Sequence, residues 1–128
     1  MHTIHQDYTI NAPISQVWRA FTTAETAEQW GAGPAKVDAS EGGVFSYWDG
    51  DIHGTTTKIE TEKLLAQDWY EHDHPERLHK VTFTFESMAN NATVVHLAQT
   101  DVGDEELTSM ADGWQDYYFD PIKKLLEK

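Results

Sequence analysis

The densest run of chemically capable side chains is HDHPERLH, which brings His72, His74 and His79 close together along the chain. Imidazoles are the commonest metal ligands and titrate near neutrality. Pro75 predicts a turn here, with His72 and His74 on one side and His79 on the other, so the three rings are not expected to converge. The expectation is a solvated hairpin with no metal site and no cofactor. A second set is polar on strand faces that are otherwise apolar. Gln67 alternates with Leu65 and Trp69, Gln99 with Val95 and Leu97, and Tyr47 and Thr57 stand in comparable positions. A polar group on such a face either hydrogen-bonds within the core or reaches a ligand or water in a cavity. The spacing leaves both outcomes open.

Glu60, Asp68, Glu71 and Glu86 are expected mainly on the solvent side, where they offer no pair for general acid–base work. The chain has no Gly-x-Ser-x-Gly elbow, no phosphate-cradling Gly-rich loop, no His-Glu-x-x-His and no EF-hand spacing. No catalytic residue is assigned, and binding is favoured over catalysis. A cyclase-like activity built from pocket polar groups is the enzymatic alternative.

The elements that position these residues follow from periodicity. Residues 4–10 alternate as a strand. After Pro13, Ile14, Val17, Trp18 and Phe21 form the stripe of a short helix, and Thr22 with Glu25 predicts a capping box for a second helix ending at Trp30. From Lys36 to Val102 closely spaced turns at Gly42-Gly43, Asp49-Gly50-Asp51, His74-Pro75 and Asn90-Asn91 separate six alternating runs, an antiparallel meander. From about Asp104 a helical period returns through Leu107, Met110, Ala111, Trp114, Tyr118, Ile122 and Leu125. Pro121 is expected to bend that helix. This order predicts one α+β domain over residues 1–128: a curved antiparallel sheet of about seven strands around a long C-terminal helix, with two short helices after the first strand.

Such a sheet often leaves a cavity under its helix. Its expected lining is Tyr47, Thr57, Gln67, Trp69, Phe83, Phe85, Leu97 and Gln99 from the strands, with Met110, Trp114 and Tyr118 from the helix. The same aromatic residues, together with Trp18, Phe21 and Trp30, are equally suited to plain core packing.

Composition narrows the partners. Nine Lys and Arg against 22 Asp and Glu give a net charge of −13 over 128 residues. So few cations argue against nucleic acid and against anionic membrane surfaces. There is no Cys, hence no disulfide, thiolate site or cysteine nucleophile. No apolar run reaches the roughly 20 residues of a membrane span, and the N-terminus MHTIHQDYTI does not resemble a signal peptide; a cytoplasmic location is the expectation.

The ordered set INAPISQVWRAFTT, Trp30, EGGVFSYWDGDIHG, Gln67-Asp68-Trp69, VTFTF and GWQDYYFDPIKKLL resembles the heat-shock-protein-90 ATPase activator homologue family across nearly the whole chain. The likeness is strongest in Trp114-Gln115-Asp116-Tyr117-Tyr118-Phe119. That family belongs to the START-related, birch-pollen-allergen-like helix-grip superfamily, so the resemblance implies the helix-grip fold. It implies two kinds of partner: a small apolar or aromatic molecule, as in the ligand carriers of the superfamily, or a chaperone, as in the activators.

Overall fold

The computed structural model describes residues 2–127 apart from Asp73, with the backbone alone at residues 74–76. Strand β1 (His2–Ile10) is followed by helices α1 (Ile14–Thr22) and α2 (Ala24–Trp30). Strands β2 (Lys36–Val37), β3 (Val44–Tyr47), β4 (Ile52–Glu60), β5 (Leu64–Glu71), β6 (His74–Met88) and β7 (Ala92–Val102) come next. A last helical stretch closes the chain as α3 (Leu107–Gly113), a π-helical segment (Trp114–Phe119) and α4 (Asp120–Leu126). The α+β helix-grip architecture is the one expected. All seven strands form one antiparallel sheet in the order β1-β7-β6-β5-β4-β3-β2, so the meander is closed at one edge by the first strand.

Local chemistry explains the boundaries. Pro13 precedes α1 in an extended conformation, where its missing N–H costs nothing. The cap of α2 is Thr23, one residue after the expected Thr22; its hydroxyl accepts from the Thr26 amide at 3.3 Å, while the Thr22 hydroxyl donates to the Trp18 carbonyl and stays with α1. Gly31, at φ 109°, ends α2 in the left-handed conformation that only glycine adopts freely.

Two expectations about β6 and the last helix are corrected. Strand β6 begins at His74, so the residues around Pro75 continue a long strand instead of making a turn; pairing with β5 breaks register between Trp69 and Glu71. The last helix begins at Leu107. That is three residues after the expected start near Asp104, so Asp104, Glu105 and Glu106 precede the helix.

The core lies between the sheet and the helices. Phe45, Tyr47, Leu65, Gln67, Trp69, Val81, Phe83, Phe85, Val95, Leu97 and Gln99 are all buried, as the alternation of each strand requires. Row contacts then set the geometry. Val81 pairs with Gln67 on one side and Gln99 on the other, which aligns the two amides across three strands.

The π-helical segment resolves the Pro121 problem. Proline removes one N–H and crowds the preceding turn, and the Asp120 amide reaches back five residues to the Gln115 carbonyl. Widening the turn also changes which side chains face inward. Trp114, Tyr118, Phe119 and Ile122 are all buried, and Phe119 stacks on Tyr8 of β1 at a centroid distance of 3.9 Å. A 3.6-residue period does not pair Phe119 with Trp114, which is why the sequence reading omits it from the apolar face.

Candidate functional site

The sheet and the C-terminal helix do not close completely. At the ends of β5, β6 and β7 they leave a cleft of about 300 Å³. Its apolar walls are Trp48, Ile52, Trp69, Met110, Trp114 and Tyr118, with the exposed Tyr117 at the rim. Gly113 lines the same cleft; with no side chain there, the helix leaves space above the indoles. The polar groups that reach the cleft are Gln99, His79, Glu71, Ser109 and Tyr70.

The two glutamines are bonded within the protein. Trp69 Nε1 donates to Gln67 Oε1 at 2.8 Å and Trp114 Nε1 donates to Gln99 Oε1 at 2.7 Å. Gln67 is thereby a core residue and does not line the cleft. Gln99 keeps donor capacity, because its Nε2 has only the Met110 sulfur at 3.5 Å, a weak acceptor. Tyr47 and Tyr118 lie buried side by side. Tyr47 donates a long bond to the Phe21 carbonyl at 3.5 Å, and Tyr118 Oη has no well-formed partner. Burial raises the Tyr47 pKa to about 12 and the Tyr118 pKa well above its ordinary value, so both rings stay neutral.

Of the residues expected to line a cavity, the structure brings Trp69, Gln99, Met110, Trp114 and Tyr118 together around the cleft. Tyr47, Gln67, Phe83, Phe85 and Leu97 fill the core behind it. Thr57 is corrected outright. It is exposed and its hydroxyl donates to the Ala66 carbonyl, because β4 bulges between Thr56 and Lys58 and the alternation flips there. Thr56 takes the inward position, with its hydroxyl unpartnered.

Two polar residues of the cleft, Glu71 and His79, lie on its lining and not on the expected solvent side. Glu71 continues the series Leu65, Gln67, Trp69, and His79 continues Val81, Phe83, Phe85, so plain alternation puts both on the covered face. The assumed turn at Pro75 hid this. His79 is 2% exposed. Its Nδ1 sits 3.1 Å from the Thr100 carbonyl, which can only accept; Nδ1 therefore carries a proton, and in the neutral ring Nε2 holds the lone pair. His72 is exposed, and the side chain of His74 lies outside the described residues.

Comparison with known proteins places this architecture. The family described as activator of Hsp90 ATPase homolog 1-like protein matches residues 11–127. The chain belongs to that family. A mouse relative, activator of 90 kDa heat shock protein ATPase homolog 1, is 32% identical over 110 residues, 85% of this chain and 32% of its own length. An uncharacterised Schizosaccharomyces pombe protein is 28% identical over 122 residues, 94% of this chain and 36% of its own. The chain thus spans about a third of the length of the curated relatives it matches. Among solved structures, an HSP90 activator from Plasmodium falciparum superposes with a TM-score of 0.86 at 24% identity, covering 98% of this chain and 96% of that one. Its likeness is one of fold. Among the described residues no helix is long and apolar enough to cross a membrane.

Proposed function

We propose that this chain binds a small, flat, mostly apolar molecule in the cleft between the C-terminal helix and the sheet. One observation carries the reading: Trp69, Trp114 and Tyr118 make a continuous aromatic wall, and Gln99 and His79 line the same cleft, each with a side-chain nitrogen that has no strong partner of its own. A largely apolar concavity with a few convergent polar groups is the usual form of a small-molecule site. An aromatic molecule with one acceptor for Gln99 and one donor for His79 fits this pattern. Anionic molecules are disfavoured by the −13 charge and by Glu71 at the rim.

The test uses a neutral solvatochromic dye with the purified chain. Binding is expected at roughly micromolar affinity. Gly113 has helical dihedrals, and a Cβ there meets only Tyr117 Cδ2, at 3.9 Å, so Gly113→Leu fits the helix and fills the cleft. That variant should bind the dye at least about tenfold more weakly, a loss of roughly 1.4 kcal/mol, while remaining folded. Equal dye binding by a folded Gly113→Leu variant overturns the reading. Native mass spectrometry of protein from its own host then identifies any copurifying molecule.

A second reading, regulation of a heat-shock-protein-90 ATPase, is favoured by the 32% identity to the mouse activator. It requires a dose-dependent acceleration of phosphate release by a chaperone from the same host, of about tenfold or roughly 1.4 kcal/mol of barrier. Such binding by so acidic a chain should weaken with salt, since exposed charges are screened over about 8 to 10 Å. An acceleration below about twofold, under roughly 0.4 kcal/mol, leaves the small-molecule reading ahead.

A further inference from the structure

We propose that Glu71, His79 and Glu106 form a binding site for a divalent transition-metal cation, with zinc the best match, where the cleft residues Glu71 and His79 meet Glu106 from outside the cleft lining. The site does not use the aromatic wall, but it shares His79 Nε2 with the small-molecule reading, so a bound cation takes the place of a ligand donor at that nitrogen. One ligand atom from each of the three residues falls within 4.8 Å of the others. They come from three separate elements: the end of β5, the start of the β6 core segment and the residue before α3.

The histidine is already prepared as a ligand. Metal-bound imidazoles usually donate the remaining ring N–H to a carbonyl or carboxylate, which fixes the tautomer and ring plane. His79 Nδ1 does this to the Thr100 carbonyl at 3.1 Å. Its Nε2 has no hydrogen-bond partner among the described residues, and Glu106 Oε2 stands 3.9 Å away, beyond a hydrogen bond but across a gap that a cation would close. A side chain only 3% exposed, holding its lone pair toward two carboxylates, is poorly satisfied without a cation or a proton between them.

The carboxylates are also arranged for it. Arg77 holds Glu106 through Oε1 and leaves Oε2 toward the histidine. Glu71 lies just past a break in register between β5 and β6, where Trp69 pairs with His79 and Glu71 with His74. One imidazole and two carboxylates suit zinc better than calcium or magnesium, which prefer all-oxygen sites. Closing the set to the roughly 2.0–2.2 Å bond lengths of zinc needs an inward movement of the two partly exposed glutamates. Glu71 and His79 line the same cleft as Trp69, Trp114 and Tyr117.

The test is titration of the purified, chelator-treated chain with zinc by calorimetry, with the His79 ring nitrogens followed by NMR. One equivalent should bind at micromolar or tighter affinity. The Nε2 resonance of His79 should shift while Nδ1 keeps its proton. Glu71→Gln with Glu106→Gln should weaken zinc at least about tenfold, roughly 1.4 kcal/mol. His96→Asn, which alters the exposed Asp7-His96-Glu86 cluster on the opposite face, should change nothing. His79→Gln should also lose binding, but the paired glutamate variant decides the matter if that buried substitution fails to fold. Undiminished zinc affinity in the folded glutamate variant, or a shift confined to exposed histidines, overturns the proposal.

Discussion

Trp69 and Trp114 meet with ring centroids 4.9 Å apart, and each indole N–H is taken up by a glutamine two strands away from the other's. Because Val81 pairs with both Gln67 and Gln99, the arrangement is a cross-sheet row. Its Trp114–Gln99 bond ties the C-terminal helix directly to the sheet, in addition to burial, while the Trp69–Gln67 bond lies within β5.

Trp114→Ala should destabilise the protein by about 3 to 5 kcal/mol, through lost burial and the cavity left behind. Trp114→Phe isolates the polar part. It keeps an aromatic ring but leaves Gln99 Oε1 buried without its donor, at a cost of about 1 to 3 kcal/mol. Adding Gln99→Leu to Trp114→Phe should recover part of that loss. Urea midpoints of the three proteins measure it, and a cost below about 1 kcal/mol for the alanine variant would contradict the burial of Trp114.

Gly54 tests the close packing of β4 on β5. A Cβ at this position would sit 1.8 Å from the Asp68 carbonyl oxygen and 3.2 Å from the Phe45 ring. The obstruction is backbone, so it cannot rotate away. Gly54→Ala should cost about 1 to 3 kcal/mol or more by forcing the strands apart. Thermal unfolding would register it; an unchanged midpoint would mean that the strands separate freely.

Alkaline stability follows from the buried phenols. The folded-state pKa of Tyr47 is raised from 10.0 to about 12, and burial also raises that of Tyr118 well above 10.0. A raised folded pKa gives stability that is complete below the unfolded value and is lost as pH climbs through the folded one. The protein should therefore resist unfolding up to about pH 10 and lose stability steeply between about pH 10 and 12. Tyr118→Phe removes an unpartnered buried hydroxyl. It should flatten that loss, as followed by tyrosinate absorbance against circular dichroism.

His96 provides a test near neutrality on the outer face. Its pKa is raised, chiefly by the hydrogen bond to Asp7 at 2.6 Å, with Glu86 contributing on the other nitrogen at 3.6 Å. Its stabilisation of β1 against β7 is present below about pH 6.5 and fades as pH rises through the raised value. Asp7→Asn should move the imidazole titration downward in NMR. No change would show that solvent screens the pair completely.

Much of this is visible in the sequence because alternation and helical period report burial directly. The seven strands, the two short helices and the inward faces of β3, β5, β6 and β7 all follow from it. The failures are local and have physical causes. The bulge after Thr56 reverses the parity that Thr57 was assigned by. The π-helical turn brings Phe119 inward against a 3.6-residue period. At Pro75 a proline-based turn rule conceals that His79 and Glu71 continue the buried rows. Only backbone registration, which depends on contacts between distant residues, could show that these two meet Glu106.

The pairing of the first strand with the last also imposes an order of assembly. Ile10 is bonded opposite Thr93 and His2 opposite Val102, so β1 has no partner until the final strand exists. During synthesis at 5–20 residues per second, about 80 residues must follow β1 before its neighbour emerges, a wait of roughly 4 to 16 s. The hairpins from β3 to β7 are local and can close in the meantime; the β1–β7 ladder is the contact of longest loop and should form late. Pulse-labelled hydrogen exchange during refolding should find β4–β6 amides protected before those of β1. Strand β1 thus acts as a clasp that is fastened after the sheet is built, gripping the C-terminal helix through Tyr8, stacked on Phe119, and through Gln6, whose Nε2 donates to the Ala111 carbonyl at 3.1 Å.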